Sequence, residues 1–137
     1  MKNTRLYASL LILLALVTAC APAAQEEALL TVGEKAYTLS ELEGLGAISV
    51  DYTDKDGETT TYEGVLLSTV LEDAGIADEG ATVTFTAADG YEADMATDDA
   101  VACENCIVAF DDGSLRMVMP EQSGKLQVKD VVSISVQ

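Results

Sequence analysis

Two cysteines separated by two residues, Cys103-Glu104-Asn105-Cys106, are the side chains in this sequence with intrinsic redox chemistry. A catalytic dithiol needs its thiolate stabilised, usually by a helix N-terminus or nearby cations. Here Asp98, Asp99 and Glu104 oppose the thiolate, and the next segment, Ile107 to Phe110, reads as a strand. The first reading is therefore a structural disulfide between Cys103 and Cys106 that staples a loop, with thiol–disulfide exchange as the alternative. Zinc would need carboxylates to complete a tetrahedral site, because the chain contains no histidine. Asp54-Lys55-Asp56-Gly57 followed by Glu63 echoes a calcium loop, but Tyr52 falls at the first ligand position and both flanks read as strands. A hairpin turn explains the same residues, and no metal site is assigned. Absence of histidine also removes Ser-His-Asp and Cys-His catalysis. No glycine-rich phosphate loop occurs, and with no tryptophan an aromatic platform for sugars or bases has weak support.

The third cysteine, Cys20, has a different setting. Lys2 and Arg5 precede an uncharged stretch from Leu6 to Ala19, whose centre runs Leu10-Leu11-Ile12-Leu13-Leu14-Ala15-Leu16-Val17. This is the layout of a secretory signal peptide over residues 1–19, too short for a permanent membrane span. Its end, Val17-Thr18-Ala19-Cys20, resembles a bacterial lipobox, which implies a diacylglycerol on the Cys20 thiol after cleavage. Two or three acyl chains give stable anchoring at about 0.8 kcal/mol per buried methylene. The expectation is a lipoprotein on the extracytoplasmic face of a cell membrane, its palmitate-type chains serving as the membrane contact. Residues 20–27 read as a flexible tether and residues 28–137 as one domain.

Loss of Lys2 and Arg5 leaves five Lys and Arg against 24 Asp and Glu, a net charge of −19. Such a surface repels nucleic acid, anionic lipid and phosphate-bearing ligands, so no nucleic-acid partner is expected.

The elements that must position these residues follow from period and punctuation. Ala28 to Val32 and Lys35 to Thr38 read as strands around Gly33, followed by a capped helical turn over Ser40-Glu41-Leu42-Glu43. Ala47 to Thr53 and Glu58 to Glu63 alternate and flank the 54–57 turn, a β-hairpin. Val65 to Gly75 predicts a helix with Leu66, Leu67, Val70, Leu71 and Ala74 on one face. Thr82 to Ala87 and Tyr91 to Met95 form strands around Asp89-Gly90, with a helical turn over Thr97 to Val101. Ile107 to Phe110 and Leu115 to Met119 flank Asp111-Asp112-Gly113, and Leu126 to Val136 reads as the last strand. The class is α+β, β-rich with mixed sheets and a few short helices.

The run Tyr62-Glu63-Gly64-Val65-Leu66-Leu67, then Val70-Leu71, Ala74-Gly75, Val83-x-Phe85 and Asp89-Gly90-Tyr91, resembles the oxidoreductase molybdopterin-binding domain of sulfite-oxidase type. Ile107 to Phe110, Asp112-Gly113, Leu115-Arg116-Met117-Val118-Met119-Pro120 and Val131-x-x-Ile134-x-Val136 continue the likeness to the end of the chain. The resemblance implies the fold, a molybdopterin cofactor and a ligand site near Tyr91 and Arg116. It also shows departures. Family enzymes hold molybdenum through a cysteine upstream of the Gly-Val segment, and none stands between Ala21 and Tyr62. They hold the pterin phosphate with Arg and His, where this sequence has Leu126 and Gln127 before Lys129. The connection from Gly113 to Arg116 is short. Burying an anionic cofactor without paired cations costs several kcal/mol. The expectation is a reduced, single-domain form with no catalytic residues assigned and no bound cofactor, a non-catalytic module that binds a small molecule or docks against a membrane-anchored redox partner. The alternatives are a molybdopterin-dependent oxidoreductase completed by a partner, or a thiol–disulfide protein using Cys103 and Cys106.

Overall fold

A computed structural model describes residues 26–76 and 78–137. The signal segment, Cys20 and the tether up to residue 25 lie outside them. Along the chain run β1 (Leu30–Val32), β2 (Lys35–Tyr37), α1 (Leu39–Gly44), β3 (Ala47–Thr53), β4 (Thr59–Leu66) and α2 (Leu67–Asp73). Then follow β5 (Thr82–Ala87), β6 (Glu92–Ala96), α3 (Thr97–Ala102), β7 (Ile107–Asp111), β8 (Ser114–Val118) and β9 (Val131–Val136). They form a five-stranded sheet in the order β2-β1-β9-β5-β6 and a four-stranded sheet in the order β3-β4-β7-β8. The β1–β9 pair is parallel and the other pairs are antiparallel, so the expected β-rich α+β fold with mixed pairing is found.

Period-two burial builds the core. Val83, Phe85 and Ile134 of the five-stranded sheet join Val65, Val108, Leu115 and Met117 of the four-stranded sheet in one buried cluster. Leu67, Val70 and Leu71 of α2 pack into the same cluster. The alternate residues of the four-stranded sheet form a second cluster, Val50, Ile107, Ala109 and Val118, with Tyr52, Tyr62 and Leu66 packed against it. One sheet thus carries a core face and a second face on which side chains remain partly open.

Gly64 makes the close approach of β4 to β7. A Cβ there would lie 2.2 Å from the Val108 carbonyl oxygen and 2.5 Å from Ala109 Cα. Both are backbone atoms, which have little room to give. The glycine of the Tyr-x-Gly-Val run is therefore a packing requirement.

Three expected boundaries are corrected. Val65 and Leu66 belong to β4, where they pair with Val108 and Ile107, and the helix begins at Leu67. Leu66 consequently faces the second cluster instead of sharing a face with Leu67, Val70 and Leu71. The cap of α1 is Thr38 and not Ser40: its hydroxyl accepts from Glu41 N while the Glu41 carboxylate accepts from Thr38 N. The last strand starts at Val131. Asp130 sits at φ 51, a left-handed conformation that ends any extended run, and Gly124–Leu126 forms a 3-10 turn.

The disulfide is present. Cys103 and Cys106 are bonded with their Cα atoms 5.5 Å apart, tying the end of α3 to the start of β7. The Cys106 carbonyl accepts from Leu67 N at 2.8 Å, satisfying an otherwise unpaired donor at the start of α2, which has no side-chain cap. At the other end, Glu26 accepts from Ser40 Oγ at 2.8 Å, so the last part of the expected tether is held against the domain.

Candidate functional site

The hairpin register carries sequence alternation into a wall of side chains. Tyr52 lies opposite Thr60 and Val50 opposite Tyr62, which puts both tyrosines and Thr60 on the outer face of the four-stranded sheet. Arg116 reaches the same face from β8. It pairs with Ala109, and Ala109 pairs with Gly64, so two small residues lie in its path across the sheet. The Arg116 guanidinium settles over the Tyr62 ring, and Nη1 also stands 3.7 Å from the Asp111 carboxylate. Its Nε is buried with no hydrogen-bond partner among the described residues. An orphaned buried donor of this kind is a place for water or for an anionic group.

These residues line a depression of about 430 Å3 between the hairpin and the loop before β9. Lys55 and Lys129 join Arg116 around it, with Asp54 and Glu58 as the opposing charges. Tyr91 does not line it. It borders a neighbouring hollow of about 220 Å3 with Asp89 and Lys125, and the two hollows share Gly124, Gln127 and Lys129. The expected pair Tyr91 and Arg116 is thus brought to adjacent sites separated by one loop. Tyr91 Oη donates to the Lys125 carbonyl at 3.0 Å, so it ties that loop to the β5–β6 turn.

Charge is unevenly distributed. Four of the five Lys and Arg after residue 5, namely Lys55, Arg116, Lys125 and Lys129, border the two hollows. The fifth, Lys35, pairs with Asp73 across β2 and α2. A domain that is acidic overall thus gathers four of these five cations around two adjoining hollows, which focuses a locally favourable field for an anion. Lys55, Tyr52 and Tyr62 were not assigned to a ligand site from the sequence. Alternation in the hairpin was the available signal for the tyrosines.

The donors do not fit a molybdenum–pterin group. A sulfur ligand requires a free thiolate, and both cysteines of the described residues are bonded to each other. They border a different hollow, with Asp99, Glu104 and Glu121. Leu126, which the family resemblance sets where a phosphate-holding side chain would stand, is buried in the main core. Gln127 is committed to backbone: its Oε1 accepts from Met119 N at 2.9 Å and its Nε2 donates to Met119 O at 2.6 Å. The β7–β8 connection is a two-residue turn, Asp112 at φ 45 and Gly113 at φ 87, so no long loop closes over this face from that side.

Asp54 serves the hairpin turn. Its carboxylate accepts from the amides of Asp56 and Glu58 at 2.9 and 3.0 Å. No group of three or more His, Cys, Asp or Glu suited to a metal occurs among the described residues. No helix among them is long and apolar enough to cross a membrane.

Comparison with known proteins agrees with the fold. The sulfane dehydrogenase SoxCD from Paracoccus pantotrophus superposes with a TM-score of 0.65 at 17% identity, over 80% of this chain and 37% of that one. The chain therefore spans well under half the length of that structure. No curated protein matches the sequence. The family model for the oxidoreductase molybdopterin binding domain matches residues 26–137, and on that match the chain belongs to this family.

Proposed function

We propose that this chain is a lipid-anchored extracytoplasmic protein whose domain binds a small anionic ligand and carries out no molybdenum chemistry. One observation carries the reading: Lys55, Arg116 and Lys129 converge on a tyrosine-walled depression, while the domain's cysteines are locked in a disulfide elsewhere. Cations and aromatic walls suit a small anion with a flat body, and Lys55 and Lys129 are exposed enough to adjust to it. The lipid on Cys20 would hold the domain at the membrane, where a membrane-anchored redox protein is the natural source or recipient of such a ligand.

The second reading is an oxidoreductase completed by a partner chain. The match to the oxidoreductase molybdopterin binding domain over residues 26–137 is what supports it. Intact mass and molybdenum content, measured on protein extracted from the membranes of its own host, separate the two. The proposal expects a diacylglyceryl mass increment on Cys20 and no stoichiometric molybdenum. Stoichiometric molybdenum overturns the non-catalytic role, and an unlipidated mature chain overturns the anchor.

A further inference from the structure

A separate cavity lies on another side of the molecule. It has a volume of about 530 Å3, opens between α2 and α3, and shares no residue with the basic hollows. Its size falls in the range of small-molecule sites. Ile76 and Val101 supply apolar wall, and Val101 is 51% exposed, unusual for a valine in a short helix whose other face is buried. Such a side chain gains by being covered.

The charged groups at this cavity are of one sign. Glu72 comes from α2, Glu79 from the segment before β5 and Asp98 from α3, and no Lys or Arg lines the cavity. None of the three carboxylates forms an ion pair among the described residues. Thr97 contributes to the wall, is 2% exposed, and its hydroxyl has no hydrogen-bond partner among the described residues. A buried hydroxyl without a partner is rare enough to need an explanation.

We propose that the cavity between α2 and α3 binds a small organic cation: a primary ammonium on an apolar body. The apolar body covers Val101 and Ile76, and the ammonium lies among Glu72, Glu79 and Asp98. A primary ammonium is favoured over a quaternary one, because quaternary groups are held by aromatic faces and no aromatic residue lines this cavity. A primary ammonium instead offers three donors to carboxylates.

The test is an NMR titration of the full domain with hexylammonium, compared with hexanol, methylammonium and hexyltrimethylammonium. Hexylammonium is expected to give saturable shifts confined to Thr97, Val101 and Ile76, with the three comparison compounds about tenfold weaker. The Glu72→Gln, Asp98→Asn double variant should weaken hexylammonium about fivefold and leave hexanol unchanged. Equal binding of hexanol, shifts scattered over the whole acidic surface, or no saturation at millimolar concentration would each overturn the proposal.

Discussion

The Arg116 guanidinium carbon lies 4.8 Å from the centroid of the Tyr62 ring, and Arg116 Nη1 donates to Tyr62 Oη at 3.1 Å. The two residues come from β8 and β4, with β7 between them, so the arginine spans a strand at its small residue, Ala109. A guanidinium stacked on an aromatic ring contributes about 0.5–2 kcal/mol, but the orphaned Nε costs about 1–3 kcal/mol in the other direction. Replacing Arg116 with Met keeps an unbranched side chain over Ala109 and the ring and removes the unsatisfied donor. Urea denaturation should show Arg116→Met within about 1 kcal/mol of the parent. Titration with benzoate or inorganic phosphate should show at least tenfold weaker anion binding. Unchanged anion affinity would mean that Arg116 is only a strand residue with a salt bridge.

Gly64 offers a sharper structural test. The Val108 carbonyl and the Ala109 Cα occupy the place of a side chain, and moving them would pull β7 away from both β4 and β8. Gly64→Ala should cost at least ~3 kcal/mol, at the upper end for overpacking, because the obstruction is backbone. Gly44, whose Cβ position is open, is the control and should tolerate alanine with almost no change. Equal melting temperatures for the two variants would mean that β4 and β7 are farther apart than described.

Much of this fold was legible because strands buried on alternate faces write a period of two into the sequence. β3, β5 and β7 emerged close to their observed bounds for that reason. The start of α2 was not legible. Val65-Leu66-Leu67 is apolar at every position, so period could not separate the end of a strand from the start of a helix. The break before β9 depends on the left-handed backbone of Asp130, and aspartate is compatible with both conformations. Cys103 and Cys106 could be paired from spacing and surroundings alone. The gathering of Lys55, Arg116 and Lys129 could not, because it needs the hairpin tip, β8 and the loop before β9 to meet in space.

The disulfide should be worth less than its compartment suggests. It closes a loop with a sequence separation of 3, and chain entropy for so short a loop gives roughly 2 kcal/mol. The variant Cys103→Ser, Cys106→Ala places the hydroxyl at the partly buried position and the methyl at the buried one. It should fold cooperatively, with stability reduced by roughly 2 kcal/mol in denaturant titration. The carboxylates of Asp99, Glu104 and Glu121 around the bridge disfavour thiolate formation on opening, so the bond should also resist a glutathione buffer. Ready reduction by glutathione would revive the thiol-exchange reading.

Acid and alkali should weaken the molecule through one shared contact. Asp73 accepts from Tyr37 Oη at 2.7 Å and from Lys35, linking the end of α2 to β2. The bond from Lys35, followed by that from Tyr37, holds the Asp73 carboxyl below its ordinary value of 3.8. A lowered folded-state pKa adds stability that is complete above the unfolded value and disappears as pH falls through the folded one. Burial, then the bond to Asp73, pushes the Tyr37 phenol well above its ordinary 10.0. A raised folded-state pKa has the opposite sense: its contribution is complete below pH 10 and is lost as pH climbs above it. The stability gap between the parent and Asp73→Asn should therefore be constant through neutral pH and shrink below pH 3.8. Tyr37→Phe should lose less stability than the parent on moving above pH 10, since its unfolded chain gains no phenolate at this position. Measured by urea denaturation across the range, a gap for Asp73→Asn that stays constant into strong acid would show that Asp73 is not held by Lys35 and Tyr37 in solution.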